Sequence, residues 1–205
     1  MKFRSEQGIF AEALGALARI ASTRNAGTPA LAGVKMNLTG DTLVLSSTDN
    51  DVAIQFQLTV GGDTDGQALV SARVLNDIVR VMPQGKVTME VAGDVATVSG
   101  GRSQFTIPTL NAVEFPRMSP PTGEATTIAS TAFKHALGQV VIAASKEPQK
   151  HHLNAVLMTS TETGLRLVAT DGYRMAMREM PGGGSNSLDQ FLIPSRALSE
   201  LQRLL

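Results

Sequence analysis

The chain has 205 residues, 42% of them hydrophobic and 18% charged, which is ordinary for a globular protein and leaves room for one large domain or two modest ones. Its 18 basic and 18 acidic side chains balance, so bulk charge announces neither a nucleic-acid nor a membrane partner, and any basic surface has to be local. The lack of cysteine excludes disulfides, thiolate nucleophiles and cysteine zinc sites; with no apolar run near the roughly 20 residues of a membrane helix and no signal-peptide core in MKFRSEQGIF, a cytoplasmic protein is expected.

The chain opens on a short strand, MKF, followed by FAEALGALARIAS (10–22), whose apolar residues recur three and four apart, as in an amphipathic helix with Ser5 as its N-terminal cap. The segment LVLSSTDNDVAI (43–54) has apolar-alternating runs on either side of a polar turn and reads as a hairpin. ALVSARVLNDIVRVM (68–82) is a strand entering a helix whose apolar face holds Leu75, Ile78, Val79 and Met82. VTMEV, VATVS and SQFTIPTL follow as further strands, and FPRMSPPTGEATT, with Pro116, Pro120, Pro121 and Gly123, has the composition of a linker.

The pattern then restarts. FKHALGQVVIAAS (133–145) repeats Phe, Ala, Leu, Gly, Ala and Ser of the first helix in place, with Ser130 and Thr131 as candidate caps. Residues 153–171 match 31–49 without a gap, so that Val34, Met36, Leu43, Leu45, Thr48 and Asp49 meet identical residues. LRLVATDGYRMAM (165–177) carries Asp-Gly between alternating runs, a strong hairpin signal because glycine accepts the positive φ of a tight turn. FLIPSRALSELQRLL (191–205) lies over the first strand-to-helix segment, Leu205 on Met82. The expected organisation is two copies of an α+β unit, 1–118 and 129–205, joined by a linker at 119–128. The counterpart of Pro83 to Leu110 is missing, so the second copy is expected to be C-terminally incomplete.

Candidate binding residues come from positions that recur. Arg73, Asn76 and Arg80 share one stripe of the second helix, and Arg196, Ser199 and Arg203 repeat it beside Leu198, Leu201 and Leu205. Each arginine alone is compatible with a solvated helix face; repetition favours a phosphate-facing role. SKEPQKHH (145–152) concentrates Lys146, Gln149, Lys150, His151 and His152, but without spaced carboxylates or cysteines a metal site is not expected. Walker A, G-x-S-x-G and H-E-x-x-H spacings are absent, and PGGGSNS (181–187) lacks the lysine of a phosphate loop and reads as a flexible turn. His135 could pair with a serine and an acid only if the fold brought them together. Thr170 to Gly172 is readable as a turn alone or as part of a site.

MKF, LAGVKM, SGGRSQFTIPTL followed by EFP, and LNAVLM followed by VATDGYRMAM occur in the order and spacing of the bacterial sliding clamps, the β subunits of the replicative DNA polymerase, and the whole chain resembles that family. The resemblance implies three DNA-clamp domains per chain, of which the first and most of the second are present here. It implies homodimeric rings around duplex DNA, a non-enzymatic processivity role, no cofactor, and loading by a separate ATPase. It further implies DNA contacts at Arg24, Arg73, Arg80, Lys146, Gln149, Lys150, Arg196 and Arg203. A peptide cleft for polymerases, the clamp loader and repair proteins falls on Leu153, Thr170, Gly172, Tyr173, Arg174 and Met175, and a dimer edge on Arg102, Gln104 and Phe105. The family usually has an arginine or aromatics at Lys150, His151 and His152, and often has histidine and leucine at Tyr173 and Met175. Rival readings are a DNA- or peptide-binding module without a ring and, from another class, a small hydrolase on a duplicated scaffold that depends on His135, His151 or His152.

Overall fold

A computed structural model describes residues 1–21, 28–118, 127–147, 149–162, 164–181 and 190–205. The chain folds as α+β and divides into two compact units, Met1–Pro120 and Pro121–Leu205.

In the first unit, β1 (Lys2–Glu6) runs directly into α1 (Gln7–Ile20), and β2 (Gly33–Thr39), β3 (Thr42–Thr48), β4 (Ala53–Thr59), β5 (Gly61–Thr64) and β6 (Gly66–Ser71) lead into α2 (Ala72–Val81). β7 (Lys86–Ala92), β8 (Val95–Gly100) and β9 (Ser103–Pro108) close the unit. The strands form two antiparallel sheets, ordered β4-β3-β2-β6 and β5-β1-β7-β8-β9. A bridge between Val70 and Thr109, with the Leu110 amide donating to the Leu69 carbonyl at 2.7 Å, ties β6 to the end of β9 and so joins the sheets. Both sheets and both helices meet in one core. Leu14 and Leu17 from α1, Leu75 and Val79 from α2, Leu43 and Leu45 from β3, and Met89 and Val98 from β7 and β8 are all fully buried there. Alternating strand positions and a three-to-four helical spacing aim these side chains inward, and their removal from water drives the assembly.

The second unit contains α3 (Ser130–Val140), β10 (Ala155–Thr161), β11 (Gly164–Thr170), β12 (Met175–Pro181), β13 (Phe191–Pro194) and α4 (Ser195–Leu204). Its sheet is antiparallel with the order β12-β11-β10-β13, the order of β4-β3-β2-β6 repeated, and its core gathers Leu137, Val140, Val156, Leu167 and Leu198.

Several local expectations are corrected. Neither Ser5 nor Ser130 and Thr131 cap a helix: α1 starts from Glu6 and α3 from Ala129, each without a side-chain cap, and Ser5 lies in β1 with its hydroxyl on the Glu6 carbonyl. A distant group serves α1 instead, since the Gln7 amide donates to the Gly85 carbonyl at 2.8 Å. The Gln7 side chain in turn donates to the Val79 carbonyl at 2.8 Å, satisfying the end of α2. No strand precedes α3 at residues 127–129. In the first unit β1 is held between β5 and β7; the repeat positions of β7 follow Leu205, and those of β5 lie outside the described residues. On α4 only Leu198 is buried, while Leu201 and Leu205 are exposed, so the apolar face read from the sequence is only partly covered. The linker segment 119–126 and the glycine-rich 182–187 fall outside the described residues.

Candidate functional site

The turn between β11 and β12 is built by its own side chains. Thr170 Oγ1 donates to the Arg174 carbonyl at 2.8 Å and accepts the Gly172 amide at 3.1 Å. Asp171 Oδ1 accepts the amides of Tyr173 at 2.9 Å and Arg174 at 3.0 Å, and Oδ2 accepts Arg174 Nε at 3.0 Å. Those two backbone amides, and after them the Arg174 guanidinium, hold the Asp171 carboxyl below its ordinary value of 3.8. Arg174 then reaches out of the turn and donates to the Ile142 carbonyl at 2.7 Å. Gly172 has φ 93°, which explains the glycine.

The first repeat carries the same construction. Thr48 Oγ1 donates to the Val52 carbonyl at 2.9 Å and accepts the Asn50 amide at 3.1 Å, while Asp49 Oδ1 accepts the amides of Asp51 and Val52. What differs is the display. The second turn presents Tyr173, 93% exposed, and Met175, 70% exposed, where the first has Asp51 and Ala53. Met175 begins β12, an outer strand of its sheet, and Met177 follows on the same face at 57% exposure. Met177 is absent from the sequence-derived set; the period-two alternation from Met175 was the signal for it. Leu153 is half-buried, and Thr170 partly so.

Residues 145–147 and 149–154 lie beside this turn and are bonded to one another. The Ser145 amide donates to the Leu153 carbonyl at 2.9 Å, and Leu153 and Asn154 both donate to the Lys150 carbonyl. Lys150 Nζ pairs with Glu147 Oε1 at 2.9 Å and lies 5.9 Å from the centre of the Tyr173 ring. The Glu147 hydrogen bond, with smaller contributions from Tyr173 and Asp171, raises the Lys150 pKa. The structure thus brings together Lys150, read as a DNA residue, and Tyr173, read as a peptide residue; Glu147 was not anticipated in either set. Lys146, Gln149, His151 and His152 are exposed.

On α2 and α4, Arg73, Arg80, Arg196 and Arg203 are all exposed. Arg73 stands 4.0 Å from Asp77, and Arg203 pairs closely with Glu200 at 2.6 Å. Asn76 does not belong to the exposed stripe. It is buried where α2 meets α1, facing Gly15. At Gly138, the repeat of Gly15, the neighbour is Gln202 and not Ser199, the repeat of Asn76. Arg24 lies outside the described residues.

Gln104 and Phe105 are exposed on β9, an outer strand of its sheet, and Arg102 is exposed in the turn before it. Phe105 pairs with the buried Val98 and shares the core-side face with Ile107, yet stays 39% exposed on a strand that has no further strand beyond it among the described residues. His135 is exposed on α3, and no group of three potential metal ligands occurs among the described residues. A hollow of about 370 Å³ in the first unit, lined by residues such as Lys35, Gln55, Gln67 and Phe115, contains none of the candidate residues. No helix among the described residues is long and apolar enough to cross a membrane.

Two adjoining families match the chain: "DNA polymerase III beta subunit, N-terminal domain" over residues 1–119 and "DNA polymerase III beta subunit, central domain" over residues 127–205. A beta sliding clamp from Micrococcus luteus is 34% identical over the whole of this chain, which spans 66% of that relative's length. One from Caulobacter vibrioides is 32% identical, and this chain spans 57% of it. Among solved structures, Caulobacter crescentus pol III beta superposes on the whole chain with a TM-score of 0.92 at 30% identity, the chain spanning 57% of it. A Bartonella birtlesii sliding clamp bound to griselimycin gives 0.92 at 28% identity, with 56% of that chain covered.

Proposed function

The chain belongs to the family of the DNA polymerase III beta subunit, the bacterial sliding clamps, and on that premise we propose that it works in a clamp that encircles duplex DNA and tethers the replicative polymerase, conferring processivity without catalysis of its own. The observation that carries this reading is the recurrence of exposed arginines at matching positions of α2 and α4, Arg73 with Arg196 and Arg80 with Arg203. A basic stripe repeated in each unit suits a ring lining that attracts phosphates everywhere and reads no base, which is what sliding requires. Lys146, Gln149 and Lys150 add cationic and polar contacts at one end of the second unit, with Arg24 the corresponding candidate in the first.

Tyr173, Met175 and Leu153, with the backbone at Thr170, Gly172 and Arg174, form the wall of a cleft for short apolar segments of the polymerase, the clamp loader and other partners. Exposed aromatic and methionine side chains on an outer strand give the adaptable apolar surface such segments need, and an extended backbone can run along it. Arg102, Gln104 and Phe105 at the open edge of β9 serve the contact with a second chain in the ring. No cofactor is required, and the site is cytoplasmic. The test is primer extension on a long template by the cognate polymerase and loader, with the full-length clamp carrying Arg80→Ala and Arg203→Ala: product length should shorten, whereas unchanged product length with unchanged DNA affinity would overturn the reading.

A further inference from the structure

Lys150 is held by two partners that belong to different surfaces. Glu147 binds its ammonium at 2.9 Å within the 145–154 segment, and the Tyr173 ring lies 5.9 Å away across the gap to the β11–β12 turn. The turn is tied to the stretch before the segment, because Asp171 holds Arg174 and Arg174 donates to the Ile142 carbonyl. Tyr173 is otherwise almost fully exposed, and among the described residues the Lys150 ammonium is the cation set against its ring.

We propose that Lys150 couples DNA binding to peptide binding: a phosphate that draws Lys150 off Glu147 also breaks its contact with the Tyr173 ring, and a peptide that packs on that side of Tyr173 releases Lys150 toward phosphate. The inference rests on the sliding-clamp reading of these two surfaces. Each ligand removes a contact the other would have to break, so the coupling is positive. Linkage makes it equal in both directions. An exposed cation–π contact sets its size at about two- to fivefold in affinity. The residue types matter: a neutral side chain at 150 leaves nothing to withdraw from the ring, and an aliphatic one at 173 gives the ammonium no ring to contact.

Tyr173 is the one tyrosine of this 205-residue sequence, and in protein labelled with 3-fluorotyrosine its fluorine resonance is assigned by its loss in Tyr173→Phe. In the ligand-free protein, Lys150→Gln should move that resonance. A short blunt duplex at low salt should move the wild-type resonance in the same direction and leave that of Lys150→Gln in place. The affinity for a capped, extended peptide with two leucine anchors, measured with and without saturating duplex, should improve about two- to fivefold in the wild type and not at all in Lys150→Gln. Glu147→Gln should tighten duplex binding, because the phosphate then displaces no carboxylate. If duplex and peptide both bind but the resonance stays fixed, or the affinity ratio is one or below, the coupling is wrong and the clamp reading stands. If neither ligand binds at any concentration, both are overturned.

Discussion

Asn50 and Gly172 hold the same place in the two copies of one turn, and both lie in the left-handed region, at φ 77° and 93°. Asparagine tolerates that conformation by bonding locally, glycine because it has no Cβ. A Cβ at Gly172 would meet nothing within 4 Å, so substitution there tests backbone strain alone. Gly172→Val should cost about 1–2 kcal/mol of stability, whereas Gly172→Asn should be nearly neutral. Urea denaturation of the two variants checks both, and equal losses would show that the turn is not governed by φ.

Asp171 sets a pH dependence. Its carboxyl is held below 3.8 by the Tyr173 and Arg174 amides, and the unfolded chain has no such donors. A group whose folded pKa is lowered contributes stability that is present above the unfolded value and is lost as pH falls through the folded one. Asp171→Asn keeps an acceptor oxygen but loses the charge. The wild type should therefore melt higher than the variant at neutral pH, with the gap closing as pH is lowered from 3.8. A gap that widens on acidification would have the wrong sign.

The arginines should not contribute equally to DNA binding. Arg203 is engaged by Glu200 at 2.6 Å and must leave it to meet phosphate, while Arg80 has no partner among the described residues. Removing either should flatten the slope of log K against log salt by about 0.9, with the larger loss of affinity at Arg80→Ala. Both losses should be the same for every duplex sequence. Fluorescence anisotropy across a salt series separates these outcomes, and a change in sequence preference would contradict phosphate contact.

Met175→Asp should leave the fold intact and damage the cleft. Met175 is 70% exposed at the start of an outer strand, so a carboxylate there stays hydrated in the free protein. A bound apolar peptide would desolvate it, and the loss should be about 2–4 kcal/mol of peptide affinity. Calorimetric titration beside a thermal melt reads both quantities; unchanged affinity with an unchanged melt would leave residues 170–175 as a turn and nothing more.

Gly15 offers a prediction of the opposite sign. A methyl at this helical position would lie 3.7 Å from Asn76 Oδ1, an ordinary contact. Gly15→Ala should raise stability by roughly 0.5–1 kcal/mol through helix propensity. A loss would mean that α1 and α2 are packed more tightly at that point than the distance implies.

The hairpins, the two strand-to-helix segments and the repeat that relates the units were legible because each rests on short-range periodicity: alternation through Leu165, Leu167 and Ala169, the Asp171-Gly172 pair, and the spacing of Leu75 and Val79. What escaped depends on partners remote in the chain. Ser5 and Ser130 looked like helix caps, but the amide at the head of α1 is met by Gly85, which no local pattern reveals. Asn76 read as part of an exposed stripe, yet it is buried beside Gly15 in the seam between the helices, a contact between elements far apart in the chain. Lys150 and Tyr173 were assigned to separate surfaces because a loop and a turn lack the fixed period from which their approach could be read.

The tie between Val70 and Thr109, reinforced by the Leu110 amide on the Leu69 carbonyl, has a dynamic consequence. Two sheets that merely shared a core could open one after the other, each exchanging its amide hydrogens with solvent on its own schedule. With β6 and the end of β9 stitched together, everything from α2 to β8 lies inside a chain loop whose ends are bonded to each other. Releasing either sheet first breaks that closure and uncovers the core face of the other. The amides of β2, β3, β7 and β8 should therefore exchange through a shared opening of the whole unit, with a common dependence on denaturant.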